Sequence, residues 1–196
     1  LQADAKLETR TEGNHVTQTL TGTISANQLE IQGGKFQKDH LRLARVTIPC
    51  DLTLHNNRLD IRSLQLDCDL GQLTAQGTLP LSPLPALGDP MTLMRQNIQV
   101  TGKFDIAALG RQLPGTLSIN PETQLTGGTL DFSWTSNLDQ QRQRILSGFL
   151  QARDIVANYR GQPVKWSAPW SIVFDAKDSQ SGPVIEKLQV NTNFLQ

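Results

Sequence analysis

The sequence has few of the residues that catalytic and metal sites use: two cysteines, three histidines and one tyrosine among 196 residues. Two cysteines do not make the disulfide framework of a small secreted domain in a chain of this length. Neither Cys50 nor Cys68 has a histidine at a spacing typical of zinc sites. We therefore predict no metal and no cofactor, and we interpret both cysteines as small apolar side chains on inner strand faces.

An excess of charge of one sign is also missing, because 18 Lys and Arg residues balance 18 Asp and Glu residues. No basic cluster stands out, so no nucleic-acid partner is predicted. No run of about 18 apolar residues occurs, which a transmembrane helix would require. The chain starts at Leu1 within an alternating pattern and without a signal peptide, so we interpret it as part of a longer protein.

The sequence contains no recognisable set of catalytic residues. His15, His40 and His55 lie in polar, turn-like segments, where histidines are usually solvated. The pairs Gly33-Gly34 and Gly127-Gly128 do not open a helix followed by Lys-Ser/Thr, so we interpret them as turn or bulge glycines. There is neither a nucleophile elbow nor a Walker loop. We predict that the chain is not an enzyme.

The dominant pattern is an apolar residue at every second position, which is typical of half-buried strands. It occupies even-numbered positions from Val46 to Leu54, and the Asn56-Asn57 pair that follows predicts a turn. Leu59 and Ile61 then occupy odd positions, whereas the residues from 64 to 70 return to even ones. One extra residue in the ladder has this effect, so we predict a β-bulge at Arg62-Ser63.

That bulge fixes the register of the predicted hairpin. Cys50 should lie opposite Leu64 and Cys68 opposite Val46. Two residue pairs then separate the cysteines, which exceeds the Cα distance of about 7 Å that a disulfide can span. We predict that they are not bonded to each other.

The remaining pattern predicts more strands and one helix. A helix over 106–112 is favoured because Asp105 can cap its start and Pro114-Gly115 can end it. The three prolines between Ser82 and Pro90 predict a loop excursion over 82–97. The further predicted strands are Leu20–Ala26, Leu73–Leu81 after a turn at 70–72, Ile98–Ile106, Leu117–Ile119, Leu125–Trp134, Leu146–Ala152, Val164–Phe174 and Leu188–Phe194.

Self-similar segments occur in the same order in the two halves of the chain. The repeat favours a hairpin at 137–140 over the helix that propensity suggests, because the matching segment near Glu12 is a turn entering a strand. The matching pairs are Leu20–Leu29 with Leu146–Ile155, Thr47–Leu52 with Ser167–Ile172, and Ile61–Leu70 with Ile185–Phe194.

The repeat suggests a division into two units. Residues 1–125 would form one repeat unit, and 126–196 the first part of the next unit, packed in series. The predicted fold is all-β: an extended, curved antiparallel β-sheet built from repeated units, an open groove or half-barrel, with one short helix near 106–112. At least one strand should remain unpaired at an edge, and we expect it to be the one ending at 194–196.

Two segments resemble the repeating unit of AsmA/TamB-like proteins. They are LDIRSLQLDCDLGQLTAQGTLPL (59–81) and IQVTGKFDIAALGRQLPGTLSI (98–119), in which a strand leads through Asp105 into a short helix. The resemblance implies the periplasmic part of a membrane-anchored envelope protein with a long apolar groove. Such proteins are implicated in phospholipid transport and outer-membrane assembly. The proline-rich excursion at 82–90 departs from the family pattern.

The resemblance also implies partners and a binding surface. Lipid acyl chains, adjacent repeats of the full-length protein and outer-membrane assembly proteins would be the partners. The side chains expected to line the groove are Leu20, Ile24, Leu52, Leu54, Leu64, Leu66 and Leu79.

Two other interpretations stay open at this point. One is a structural or partner-docking β segment of the same kind of protein. The other is a carbohydrate-binding or adhesin-like module, in which Trp134, Trp166 and Trp170 would stack on sugars. Core packing is favoured for Trp134 and Trp170, because they share phase with apolar neighbours. Asp51, Asp60, Asp67 and Asp69 are predicted to lie on the solvated face of strands.

Overall fold

The structure is a computed structural model that describes residues 1–13, 15–33, 39–81, 96–138, 143–179 and 182–192. Strands account for 79% of these residues. The elements are β1 (Gln2–Glu12), β2 (His15–Gln32), β3 (His40–His55), β4 (Arg58–Cys68), β5 (Gly71–Pro80), β6 (Asn97–Asp105), α1 (Ile106–Gln112), β7 (Thr123–Leu138), β8 (Arg144–Tyr159), β9 (Gln162–Lys165), β10 (Trp170–Ser179) and β11 (Gly182–Asn191).

All the described strands form one antiparallel sheet, so the predicted all-β fold is confirmed. The strand order is β1-β2-β3-β4-β5-β6-β7-β8-β10-β11, and β9 pairs with the end of β8. Nearly every strand pairs with its neighbour in sequence, as short connections between antiparallel strands favour. Within the described residues β1 and β11 each pair on one side, so the sheet is open.

The pairing of β3 with β4 agrees with the register predicted from the sequence. Asn56 and Asn57 form the turn, with φ of 45° and 60°, the backbone conformation that two-residue hairpin turns require. Between Ile61 and Leu64 the ladder contains an extra residue, which is the predicted bulge. Cys50 lies opposite Leu64 and Cys68 opposite Val46, and both thiols are free. Both predictions about the cysteines are confirmed.

Helix α1 has the predicted bounds and cap. The Asp105 carboxylate accepts a hydrogen bond from the Ala108 amide at 2.9 Å, which satisfies one of the unpaired amides of the first turn. The predicted strand at 117–119 is wrong. The Leu117 amide instead donates to the Leu113 carbonyl, and the Ile119 amide to the Pro114 carbonyl, so these residues continue the helix end as turns.

Several predicted strand boundaries need correction. The turn after β4 is at 69–70, because Gly71 already pairs with Cys68 and Phe104. The single strand predicted over 164–174 is two strands, β9 and β10, separated at 166–169, where Pro169 cannot donate to a ladder. The strand predicted from Leu188 begins at 182, and the predicted edge residues 194–196 lie outside the described part.

The predicted hairpin between β7 and β8 is present, but its turn begins later than predicted. Asn137 and Leu138 still pair with Ile145 and Arg144 in the ladder, and 139–142 lie outside the described residues. The predicted excursion over 82–97 ends one residue too late, since Asn97 begins β6, and 82–95 lie outside the described part. Tertiary pairing, rather than helix propensity, determines the structure of the hairpin arms.

The self-similar segments share unusual backbone features at matching positions. Gln28 in β2 has φ of 56°, and Asp154, which matches it in β8, has φ of 52°. The bulge of β4 at Arg62 recurs in β11 at Glu186, the matching residue, which has no partner opposite it in β10. The repeated sequence therefore produces repeated local structure, and the division into units at 125 stays a prediction.

Candidate functional site

One side of the sheet, called here the apolar face, consists of side chains that the register aligns from strand to strand. From β3 to β6 none of the residues on the apolar face has a polar side chain. Its members there are Val46, Ile48, Cys50, Leu52 and Leu54 in β3, Leu59, Ile61, Leu64, Leu66 and Cys68 in β4, Gly71, Leu73, Ala75, Gly77 and Leu79 in β5, and Ile98, Val100, Gly102 and Phe104 in β6.

The apolar face continues through the strands on both sides. Leu20 and Ile24 of β2 align with it on one side, and Phe132 of β7, Leu150 of β8 and Ile172 of β10 on the other. The opposite side, called here the polar face, contains mostly Thr, Ser, Gln and Asp. Cross-strand hydrogen bonds such as Thr19–Thr53 and Gln76–Gln99 lie on it.

All seven side chains predicted to line a groove lie on the apolar face, at three kinds of position. Leu79 is buried in a cluster with Ile61 and Ile98, and Leu52 and Leu64 pack against it. Leu66 packs against a different cluster, which includes Ala108 and Leu113. Leu20, Ile24 and Leu54 are half-buried and contact neither buried cluster. Of the seven predicted residues, Leu20, Ile24 and Leu54 therefore contribute least to the packing of the protein itself.

Helix α1 covers one end of the apolar face. Ala108 and Leu113 are buried in a cluster with Leu41, Leu43 and Val46 of β3, so the segment after β6 reaches across to β3. Gln112 completes the contact: its amide nitrogen donates to the Arg42 carbonyl at 3.0 Å, and its oxygen accepts from the Arg42 amide at 3.1 Å. The apolar face is thus closed by helix at this end.

Towards the other end, a second cluster is built by strands alone. Ile61, Leu79 and Ile98 are buried on adjacent strands, and the Trp134 ring packs against them. The indole nitrogen of Trp134 is buried without a hydrogen-bond partner. No described helix contributes to this cluster, so the apolar side chains here are packed only by their neighbours in the sheet.

Aromatic rings lie on the apolar face where a glycine leaves room for them. The rings of Phe104 and Phe132 are stacked, with centroids 5.9 Å apart and planes 3° apart. A Cβ at Gly102 would lie 2.3 Å from the Phe132 ring and 3.0 Å from the Phe104 ring. Sequence reasoning did not assign these rings to the groove; glycines in phase with apolar residues were the available signal.

Apolar side chains remain exposed at both edges of the sheet. Leu7 in β1 is 64% exposed, and Ile185 and Leu188 in β11 are 63% and 60% exposed. Leu7 and Leu188 align with the apolar face through Leu20 and Phe174. The apolar face therefore reaches solvent along two sides.

The other groups singled out in the sequence do not assemble a reactive site in the described residues. His15 and His55 contact each other near the Asn56 turn, and no described group of three His, Cys, Asp or Glu residues could hold a metal ion. A cleft of about 740 Å³ is lined by Arg45, Lys103 and Asp67, together with apolar neighbours such as Leu70 and Phe104. Its charges are of both signs.

Three of the four aspartates predicted to be solvated are half-buried, and two of them have an unpaired carboxylate oxygen. Asp51 and Asp67 are half-buried, and one carboxylate oxygen of each is buried without a hydrogen-bond partner. Asp60 is half-buried and Asp69 is exposed. Gly127 and Gly128 lie at an irregularity of the β7–β8 ladder, as the bulge interpretation predicts.

Asp39, which sequence reasoning did not single out, holds the segment after α1 against β3. Its carboxylate is buried and accepts hydrogen bonds from the Thr116 amide at 2.6 Å and the Gly115 amide at 3.0 Å. The bond from the Thr116 amide is the main reason that the pKa of Asp39 lies below its ordinary value. A carboxylate that bridges residues so far apart in sequence fixes how the helix closes the sheet.

Because the folded pKa of Asp39 is lowered, its contribution to stability is present above the unfolded pKa and is lost as pH falls through the folded value. We expect the melting temperature of the protein to decrease when the pH is lowered below about 4. The Asp39→Asn variant should melt at lower temperature at neutral pH and should show a weaker dependence on acid. Glu12→Gln, which removes an exposed carboxylate at the end of β1, is the matched control. An equal acid response in both variants would contradict this assignment.

The chain is an open, single-layer β protein whose apolar face is covered at one end by a helix. No protein-family model, curated protein or solved structure matches it. No described helix has the length and apolar character needed to cross a membrane.

Proposed function

We propose that this chain binds lipid acyl chains along its apolar face and is a section of an envelope protein that transports lipids. The observation that carries the proposal is the uncovered apolar row of a single sheet. An antiparallel sheet with one apolar face normally packs that face against a second layer. Here α1 is the one described element that lies on it.

The chemistry of the apolar face favours hydrocarbon over a polar ligand. Its centre offers Leu, Ile, Val and aromatic side chains without charge, so a ligand gains mainly from removing apolar surface from water. Leu20, Ile24 and Leu54 retain exposed apolar surface for this purpose. A non-directional surface of this kind suits flexible acyl chains.

The position of α1 indicates how a bound acyl chain would be oriented on the apolar face. The end of the apolar face with Ala108 and Leu113 is closed, whereas side chains near the Asn56 turn have no described helix over them. Acyl chains would therefore lie along the strands with their polar group away from α1.

The wider role follows from the resemblance of 59–81 and 98–119 to AsmA/TamB-like repeats. We propose that the chain belongs to the periplasmic part of a membrane-anchored protein. The following repeat would extend the apolar face beyond β11, and outer-membrane assembly proteins are the proposed partners. No cofactor is needed for this function.

The carbohydrate-binding interpretation has less support. Trp134 packs against the second cluster, and Trp170 aligns with Ala152 on the apolar face. Trp166 is also half-buried. Sugar platforms need exposed aromatic rings beside polar groups, and none of the three tryptophans is an exposed side chain.

Mass spectrometry of lipid extracted from the purified chain tests the proposal. We expect acyl lipids to copurify in detergent-free buffer, and protein delipidated by unfolding and refolded should bind a photo-crosslinkable fatty acid. Crosslinked peptides should come from β2 to β8. Absence of copurified lipid together with no crosslinking by the refolded protein would contradict the proposal.

A further inference from the structure

The charges of edge strand β1 alternate in sign along the polar face. Asp4, Lys6, Glu8 and Arg10 follow one another at every second residue, and the side chains between them belong to the apolar face. Glu8 forms ion pairs along the strand with Lys6 at 2.5 Å and with Arg10 at 3.9 Å. The outer side of β1 has no partner strand in the described part.

The neighbouring strand supplies no charge to this row. In the β1–β2 register Asp4 lies opposite Thr23, Lys6 opposite Thr21, and Glu8 opposite Thr19. Opposite charges directly across two strands attract and like charges repel. Any cross-strand ionic partner for these residues must therefore come from outside the described part of the chain.

We propose that two copies of this chain pair through β1, antiparallel, with Leu7 of each copy at the twofold axis. In this register Asp4 lies opposite Arg10 of the second copy, and Lys6 opposite Glu8 of the second copy. Both contacts occur twice by symmetry. Leu7, 64% exposed in the single chain, lies against its equivalent.

The two adjacent registers of the same pairing are disfavoured by charge. A register that keeps the apolar faces on one side can shift only in steps of two residues. A shift that centres the axis on Lys6 places Lys6 against Lys6 and Asp4 against Glu8. A shift that centres it on Glu8 places Lys6 against Arg10. Charged residues on edge strands commonly discourage pairing. A register centred on Thr9 would also pair opposite charges, Glu8 with Arg10 and Lys6 with Glu12, but it leaves the residues of β1 before Lys6 without a partner. The register centred on Leu7 pairs the full length of β1 and is therefore the one proposed.

The other edge is a poorer partner for β1. The polar side of β11 contains Lys187, Gln189 and Asn191, and Glu186 at the bulge is already paired with Lys177 of β10 at 2.9 Å, so one unpaired charge is left. Pairing of β1 with β11 would thus bring together one pair of opposite charges, whereas β1 with β1 brings together four. Because the twofold axis is perpendicular to the sheet, the apolar faces of the two copies would lie side by side.

Charge exchange tests the proposal by sedimentation velocity over a range of protein concentrations. Lys6→Glu or Glu8→Lys alone should raise the dimer dissociation constant at least about tenfold, because two attractive pairs become repulsive. The double variant Lys6→Glu/Glu8→Lys restores every opposite-charge pair and should return the constant to within about threefold. Added salt should weaken the parent dimer.

Cysteine crosslinking tests the register, in a chain whose Cys50 and Cys68 are replaced by alanine and which melts cooperatively. Leu7→Cys should give a covalent dimer on mild oxidation, because paired Cα atoms across antiparallel strands lie within disulfide range. Leu188→Cys, similarly exposed in β11, is the control and should give no covalent dimer on oxidation.

Mixed variants complete the register test. Ala5→Cys and Thr9→Cys should crosslink when mixed and not when oxidised separately. A monomeric parent at all concentrations, a double variant that stays weak, or crosslinks through Leu188→Cys would each overturn the proposal.

Discussion

Replacing Gly77 with alanine is expected to lower the free energy of unfolding by at least about 3 kcal/mol. Gly77 lies in β5 with φ of 135°, and an added Cβ would lie 2.1 Å from the Asn97 carbonyl oxygen and 2.7 Å from the Ile98 Cα. These atoms belong to the backbone of β6, so they cannot rotate away. The two strands would have to separate near the second apolar cluster, and urea denaturation followed by circular dichroism measures the cost.

Gly127→Ala provides the matched control for the Gly77 variant. A Cβ at Gly127 would lie 3.6 Å from Val156 side-chain atoms, an ordinary contact. We expect its free energy of unfolding to change by less than about 1 kcal/mol. Equal destabilisation by both variants would mean that close approach of β5 and β6 is not what requires glycine at position 77.

Arginine at Ile24 is expected to reduce acyl-chain crosslinking more than tenfold while the protein stays folded. Ile24 lies on the apolar face between Ala3 and Ile48, half-buried and outside both buried clusters. Its charge can reach water past the edge strand β1, but it would oppose hydrocarbon placed on the same surface. The photo-crosslinking yield with the fatty acid and the melting temperature are measured together.

Thr23→Arg is the control, because Thr23 is the adjacent residue in β2 and lies on the polar face opposite Asp4. It should leave crosslinking unchanged. Unfolding of Ile24→Arg would place Ile24 in a closed core and contradict a groove at β2. Unchanged crosslinking in a folded Ile24→Arg variant would exclude the apolar face near β2 from lipid binding. Leu66 is a less clear test, since it packs against the cluster beneath α1.

The local features that the sequence predicted correctly depend on neighbouring residues. Asparagine tolerates positive φ, so Asn56-Asn57 identified a hairpin turn. A change of phase between Ile61 and Leu64 identified a bulge, and the register that follows placed the cysteines. The cap at Asp105 identified the start of α1. In each case the deciding interaction spans few residues, so it can be read along the chain.

The errors occurred where a distant partner decides the structure. The alternating pattern at 117–119 suggested a strand, but no described strand pairs with it, and hydrogen bonds to Leu113 and Pro114 hold it as turns. The pattern at 164–174 continued through Pro169, whereas the ladder divides there into β9 and β10. A periodic pattern shows which side of a strand is apolar, but it does not show whether a partner strand is available.

The sequence by itself determined that the chain forms antiparallel strands with one apolar face, because alternation and turn residues define faces without tertiary information. It placed all seven predicted leucine and isoleucine side chains on that face. Only the tertiary structure decided how the face is closed. Asp39 and Gly115 must meet across 76 residues of chain, and no local pattern in either segment indicates the other. Closure depends on such long-range contacts, which is why Leu66 packs against the cluster that includes Ala108 of α1 while Ile24 belongs to neither cluster.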